Sequence, residues 1–228
     1  MKLSPNTITV LKNFYNINQS IRFTPGNVLK TMSSGQSIIG QAKLDIKIPE
    51  SFGIYDLSRF LNAVGLFEDP ELEIVDTFVK ISDDRSTILY NTAGEKSIKV
   101  PEKALNLPAE VPCHFTLTHD DTQKLFKAIA ILGMPEIAII GDGKKLSVKG
   151  LDSEGKVEDS FSLNIGDTKN KYKAIFKIDN INKILPGDYD VRIASLSDSR
   201  GDSVNVSHFK SLTDKVEYWI AVSSNSEF

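Results

Sequence analysis

Apolar residues along this chain recur at two spacings. In the stretch 52–67, Leu57, Phe60, Leu61 and Val64 fall at i, i+3, i+4 and i+7, one stripe of an amphipathic helix. The spacing predicts a helix over 54–67, and similar stripes predict helices over 6–18, 120–132 and 178–185. In the first, Ile8, Leu11, Phe14 and Tyr15 read as inward, with Thr9, Lys12, Asn13 and Asn16 outward. In the third, Leu125, Phe126, Ile129 and Leu132 read as inward, with Gln123, Lys124 and Lys127 outward. Short alternating runs at 72–75, 78–81, 87–90, 137–140, 146–149, 189–193 and 216–222 predict strands, and Gly141-Asp-Gly-Lys144 predicts a hairpin turn. The class is therefore α+β, mostly antiparallel sheet with few helices.

The pattern also repeats. Phe52-Gly-Ile-Tyr-Asp-Leu-Ser-Arg-Phe-Leu61 is echoed by Phe176-Lys-Ile-Asp-Asn-Ile-Asn-Lys-Ile-Leu185, which sets Arg59 opposite Lys183. A weaker echo matches Leu3-Ser4 with Leu117-Thr118, each ahead of an apolar-periodic run, and Ser82-Asp-Asp-Arg85 matches Ser197-Asp-Ser-Arg200. One domain duplicated is the reading: an N-terminal domain over 1–97 and a C-terminal domain over 113–228. The stretch 98–112 between them carries Pro101, Pro108 and Pro112, which favour extended chain and suit a linker.

Charge sharpens the picture. The net charge is −3, yet glutamate is absent from all four predicted helices, and their aspartates (Asp56, Asp120, Asp121, Asp179) stand in first turns. The polar faces keep Lys12, Arg59, Lys124, Lys127 and Lys183 together with Asn13, Asn16, Asn62 and Asn182. Cations neutralise phosphates and amides donate to phosphate oxygens without reading base sequence, whereas a carboxylate there repels the same phosphates. Charge segregation, rather than net charge, therefore points to a polyanion.

Catalytic chemistry finds no constellation. His114, His119 and His208 lack metal-ligand spacing, so neither a metal nor another cofactor is expected. The neighbours Cys113 and His114 point apart on extended chain, and Gly141-Asp-Gly-Lys-Lys145 lacks the spacing of a phosphate-binding loop. Asp83-Asp84 and the run Asp152, Glu154, Glu158, Asp159 read as solvated loops, and Arg200-Gly-Asp202 and Asn205-Val-Ser207 as chance motifs. The single cysteine forms no internal disulfide and fits a reducing compartment, and the polar-interrupted start is neither a leader nor a membrane span.

Met1-Lys-Leu-Ser4, Leu11-Lys-Asn-Phe14, Ile17-Asn18, Ile54-Tyr-Asp-Leu57, Ile81-Ser-Asp-Asp-Arg-Ser-Thr-Ile88, Pro186-Gly-Asp-Tyr189 and the terminal Phe228 resemble, in order, the sliding clamps of T-even-like bacteriophages. That resemblance implies a homotrimeric ring of two-domain subunits, helices lining the hole and sheets outside, and no enzymatic activity. It implies that Lys12, Asn13, Asn16, Arg59, Asn62, Lys124, Lys127 and Lys183 face double-stranded DNA. Its partners are the replicative DNA polymerase, a clamp loader complex and the late transcription machinery, in the cytoplasm of the infected bacterial host and without a membrane. By the same likeness Met32, Ile39, Trp219 and Ala221 are candidates for the pocket that takes a partner peptide. Where relatives carry a lysine near the start of the first helix, this chain has Pro5-Asn6. The competing reading is a non-catalytic, β-rich structural or assembly protein of the virion.

Overall fold

Ser4 starts the first helix: its Oγ accepts the Thr7 backbone N–H at 3.0 Å, and Pro5 supplies the preset φ of a first helical residue. In this computed structural model, which describes residues 1–101, 107–108, 110–155, 159–197 and 203–228, the chain divides into two compact units, Met1–Ala104 and Leu105–Phe228. Part of the stretch 98–112, Glu158, most of 197–200 and all of 200–202 lie outside the described residues.

The first unit runs α1 (Pro5–Ile17), β1 (Ile21–Phe23), β2 (Gly26–Met32), β3 (Ile38–Ile48), β4 (Phe52–Ile54), α2 (Leu57–Val64), β5 (Glu71–Val75), β6 (Phe78–Ser82) and β7 (Thr87–Asn91). The second runs β8 (Cys113–Leu117), α3 (His119–Leu132), β9 (Glu136–Asp142), β10 (Lys145–Leu151), β11 (Phe161–Asp167), β12 (Lys171–Lys177), α4 (Ile178–Ile181), β13 (Tyr189–Ser197), β14 (Ser203–Ser211) and β15 (Val216–Ala221). All the ladders within each unit are antiparallel.

Each unit is two strand–helix–three-strand halves that exchange their leading strands. In the second unit β12, which leads into α4, pairs with β9, the strand after α3; β8, which leads into α3, pairs with β13, the strand after α4. In the first unit β4 pairs with β1 in the same way, through Ile21↔Ile54 and Phe23↔Phe52. Its counterpart is the N-terminus itself, where Met1 and Leu72 exchange main-chain hydrogen bonds of 2.6 and 2.8 Å. The Phe52–Leu61 and Phe176–Leu185 echo thus marks equivalent exchanged strands, with Phe52, Leu57 and Phe60 buried like Phe176, Ile181 and Ile184.

Two close approaches seat helices on sheets. A Cβ on Gly40 of β3 would lie 2.9 Å from the Phe14 ring of α1, and one on Gly150 of β10 would collide with Met134 just after α3. Around these seats, Leu11, Phe14, Phe23, Leu29 and Phe60 fill the first core, and Leu125, Phe176, Val191, Phe209 and Tyr218 the second. The ring edges of Tyr189 and Phe176 meet Phe209, with centroids 6.2 and 5.9 Å apart.

The predicted hairpin turn is present, with Gly143 at φ +89° between β9 and β10. The predicted helices differ at their ends. α2 begins at Leu57 rather than residue 54, because Ile54 is spent in the β4 ladder and Asp56 caps the helix through Oδ1 to the Arg59 N–H at 2.8 Å. α4 is one turn, not eight residues, since Asn180 and Asn182 are poor helix formers and Leu185 precedes Pro186. Leu185 is held instead by tyrosines: its carbonyl accepts from Tyr189 Oη, and its N–H donates to Tyr218 Oη at 3.2 Å. Cys113 and His114 lie on β8 rather than in a linker, with opposite orientation: Cys113 is buried, while His114 Nε2 contacts Asp190. No helix among the described residues is long and apolar enough to cross a membrane.

Burial pushes the Cys113 thiol up to about 12 and the Tyr172, Tyr189 and Tyr218 phenols well above their usual value. Each group ionises in the unfolded chain before it does in the folded one, so its contribution is complete below the unfolded pKa and is lost as pH rises toward the folded value. With unfolded cysteine near about 8.5 and tyrosine near about 10, the urea midpoint should hold to about pH 8.5. It should then fall progressively between about pH 9 and 12. A midpoint unchanged at pH 11, followed by fluorescence, contradicts the buried placement of these groups.

Candidate nucleic-acid interface

Lys12, Asn16, Arg59, Asn62, Lys124 and Lys127 are all exposed on α1, α2 and α3, as their spacing requires. Two of the expected DNA-facing residues differ. Asn13 is only 7% exposed, because the buried arc of α1 is wide and takes in Thr7, Val10, Leu11, Asn13, Phe14 and Ile17. Tyr15 and Ile8, expected to be inward, lie at the edges of that arc. Lys183 is half-buried in the turn after α4, where its N–H donates to the Asn180 carbonyl at 3.2 Å, and its side chain is not free. It therefore does not mirror Arg59, although the echo in sequence aligns them.

In the first unit the exposed residues converge. The Leu57 N–H donates to the Gln19 carbonyl at 2.8 Å, tying the chain just past α1 to the start of α2. Around that bond lies a concavity of about 460 Å3 lined by Tyr15, Gln19, Tyr55, Asp56, Ser58, Arg59 and Asn62, with one Asp56 carboxylate oxygen taken up by the helix cap. A second, of about 430 Å3, continues from Tyr15 and Gln19 to Asn16, Asn18 and Ser34. Gln19, Tyr55 and Tyr15 are members that helix periodicity alone does not find, because the first two lie outside any helix. The signal available was their position, just beyond the polar faces of α1 and α2.

Ion pairing distinguishes these cations from three lysines outside the helices. Lys2, Lys80 and Lys145, which lie outside the helices, each pair with an acid: Asp69, Glu73 and Asp167. Among the described residues, Lys12, Arg59, Lys124 and Lys127 have no ion-pair partner. No α-helix among the described residues contains glutamate, and the α-helix aspartates are confined to first turns or, as Asp56 is, to a cap. Thr118 caps α3 through Oγ1 to the Asp121 N–H at 3.2 Å, so Asp121 turns back to the cap rather than toward Lys124. Such uncompensated cations on short, amide-rich faces match phosphate oxygens. No group of three or more His, Cys, Asp or Glu side chains placed to hold a metal occurs among the described residues.

The pocket candidates fall into two pairs. Met32 and Ile39 face each other across β2 and β3, half-buried. Trp219 and Ala221 share the outer face of β15, where the Trp219 ring stacks on His208 at 4.7 Å. His208 Nε2 also lies 2.8 Å from Glu217.

The profile of the DNA polymerase processivity factor family matches residues 2–100, and that of the gp45 sliding clamp C-terminal domain matches residues 114–224. The sliding clamp of Vibrio phage KVP40 is 30% identical over 216 residues, covering 92% of this chain and 97% of its own. This chain belongs to the sliding-clamp family. The sliding clamp of Escherichia phage RB69 is 32% identical over 239 aligned positions, with 99% and 98% of the two chains covered. Among solved structures, Archaeoglobus fulgidus PCNA bound to the C-terminal region of FEN-1 superposes with a TM-score of 0.67 at 13% identity over 96% of each chain. The Helicobacter pylori beta clamp in complex with carprofen gives 0.69 at 15% identity over 98% of this chain and 66% of that one. Those two likenesses concern the fold. As a sliding clamp the protein is a processivity factor of a phage DNA polymerase and not an enzyme, which sets aside the structural-protein alternative.

The burial of Asn13 and the exposure of Asn16 predict opposite responses to the same change. Asn13→Lys forces a charge into the seam beneath α1 and should cost about 2 kcal/mol or more in urea unfolding. Asn16→Lys should stay within about 0.5 kcal/mol of the parent. Equal stabilities would mean that Asn13 also faces solvent.

Proposed function

We infer that three copies of this clamp close head to tail into a ring around duplex DNA, with the exposed faces of α1, α2 and α3 turned to the phosphates. The observation that carries the reading is the set of exposed cations without ion-pair partners on α-helix faces that hold no glutamate, in a chain whose net charge is −3. Each contact is weak and exchanges readily, so a closed ring retains DNA by topology while it slides. Arg59, with Asn62, Tyr15 and Gln19 around it, is the main contact of the first unit; Lys124 and Lys127 serve the second. Asn13 and Lys183 are not part of this surface.

Closure is supported by the sheet edges. β7 ends one sheet of the first unit and β11 one sheet of the second. β7 has no charged residue and β11 has only Asp167, already engaged by Lys145. Such edges invite a partner strand. The ring tethers the replicative polymerase, is placed on DNA by a clamp loader and supports late transcription, in the cytoplasm of the infected host. Met32 with Ile39, and separately Trp219 with Ala221, are the positions proposed for partner peptides.

Light scattering on the purified protein at micromolar concentration should give the mass of three chains; a monomer or an even-numbered assembly contradicts the ring. Arg59→Glu and Lys127→Glu should fold and assemble normally, yet lose retention on circular DNA and processive synthesis. The salt slope should shrink by roughly 0.9 for each phosphate contact removed. Lys80→Glu makes the same charge change at a lysine on β6 and should leave retention intact. If both helix variants support processive synthesis like the parent across salt, these faces do not meet DNA.

A further inference from the structure

The second unit carries a set of cations that no helix holds. In its sheet ordered β11-β10-β9-β12, Gly150 of β10 runs against Ile129 and Met134 at the end of α3, so its neighbours in alternation, Lys149 and Ser147, point away from that helix. Ladder register fills the outer face row by row. Lys173 of β12 stands in line with Ile140, Ser147 and Asn164, and Ile175 in line with Ala138, Lys149 and Ser162. Neither row holds a carboxylate. Lys171 lies two residues from Lys173 and shares its face; Lys149 and Lys171 are exposed and Lys173 is half-buried. None of the three has an ion-pair partner among the described residues.

The acids of this face stand at its two ends and are engaged. Asp142 accepts the Lys144 and Lys145 N–H at 2.8 and 2.7 Å, Asp167 takes Lys145 Nζ at 2.9 Å, and Glu136 accepts the Ser153 N–H at 3.2 Å. The other sheet of the same unit is built differently. There Asp190 contacts both His114 and Arg192, Glu217 contacts His208, and Lys210 stands in register between Asp190 and Glu217. One sheet thus interleaves its charges, while the other leaves its middle rows cationic.

The chemistry of the face selects what it binds. By strand geometry Lys173 lies about 7 Å from Lys171 along β12 and about 12 Å from Lys149 across the sheet. Separated ammonium groups with hydroxyl and amide donors between them suit phosphate oxygens. Ala138 and Ile175 are 0% and 2% exposed, so a peptide finds little apolar surface to anchor on. The outer positions of the four strands hold no aromatic ring, so the bases of a single strand have no stacking platform. A duplex, which offers its backbone alone, fits these conditions.

We propose that Lys149, Lys171 and Lys173 bind the phosphate backbone of a second stretch of duplex DNA, outside the ring. α3 lies on the opposite side of this sheet, so one duplex does not reach both sets of cations. That the stretch is a second one rests on the reading of α3 as facing the enclosed DNA; the contact itself does not. A clamp so built encloses one duplex and touches another by charge.

Cross-linking and titration test the face. A Lys149→Cys variant carrying a benzophenone maleimide should cross-link to a linear duplex of 20 base pairs, roughly two helical turns. A Thr116→Cys variant, labelled at an exposed position of the other sheet, should not, and buried Cys113 leaves the parent unlabelled. The cross-link at position 149 should persist when Arg59→Glu and Lys127→Glu are added. In fluorescence anisotropy at low salt, Lys149→Glu with Lys173→Glu should weaken binding of the same duplex about tenfold, with the salt slope smaller by roughly 0.9 per contact removed. That double variant should keep the circular dichroism spectrum of the parent and its retention on circular DNA. No cross-link at position 149, unchanged duplex affinity, or a cross-link that prefers a single strand or a glutamate-rich peptide overturns the proposal. Retention on circles unaffected by the helix variants, with the cross-link present, overturns the bore assignment and leaves this contact standing.

Discussion

The exchange of leading strands is the constraint on which each unit depends. A strand that introduces one helix is hydrogen-bonded to the strand that follows the other, so neither half can leave without breaking two ladders. In the first unit even the N-terminal residue takes part, through its bonds to Leu72. The exchange also fixes where the helices stand. β4 delivers Asp56 to cap α2, and β8 delivers Thr118 to cap α3, so the start of each of these helices is set by a strand belonging to the opposite sheet. The helix faces are then free to be chosen for function, because neither their ends nor their seats depend on them.

That freedom is used asymmetrically. Equivalent positions in the two halves of the sequence carry Arg59 and Lys183, but α2 has two turns and α4 one. The shortened α4 gives its length to a loop clamped by Tyr189 and Tyr218, which secures the second core at the expense of a polar face. The second unit compensates on α3, the longest helix, with Lys124 and Lys127 exposed. Carboxylates are excluded from all these faces, although the chain as a whole is acidic. Four like charges held without partners cost a little self-repulsion, which a polyanion relieves.

Much of this was legible in the residues. Helix periodicity found all four helices, two of them nearly end to end, and the exposure of six of the eight expected DNA-facing residues. The Phe52 and Phe176 echo located the exchanged strands, because the residues that lead into equivalent helices meet equivalent packing. The unread part has physical causes. β3 buries Ile38, Gly40, Ala42, Leu44 and Ile48, but a glycine and an alanine in the apolar row weaken the alternation. β14 alternates Ser207, Phe209 and Ser211 inward, so polar residues occupy core positions; Ser207 is satisfied by donating to the Ile220 carbonyl at 2.7 Å. Asn13 escaped for the same reason in reverse: an amide inside a buried arc looks like surface when only composition is read.

Gly40 has a consequence beyond packing. With no side chain there, Phe14 sinks onto β3 and α1 rides low over its sheet. A methyl group at that position would push the helix away from the sheet, and Lys12 and Asn16 would travel with it. In a ring whose inner wall is made of such helices, that outward push narrows the passage left for the duplex. In such a ring, the ease with which DNA would run through would be set in part by a backbone atom it never meets. Clearance, like a bearing tolerance, is machined from behind the wall.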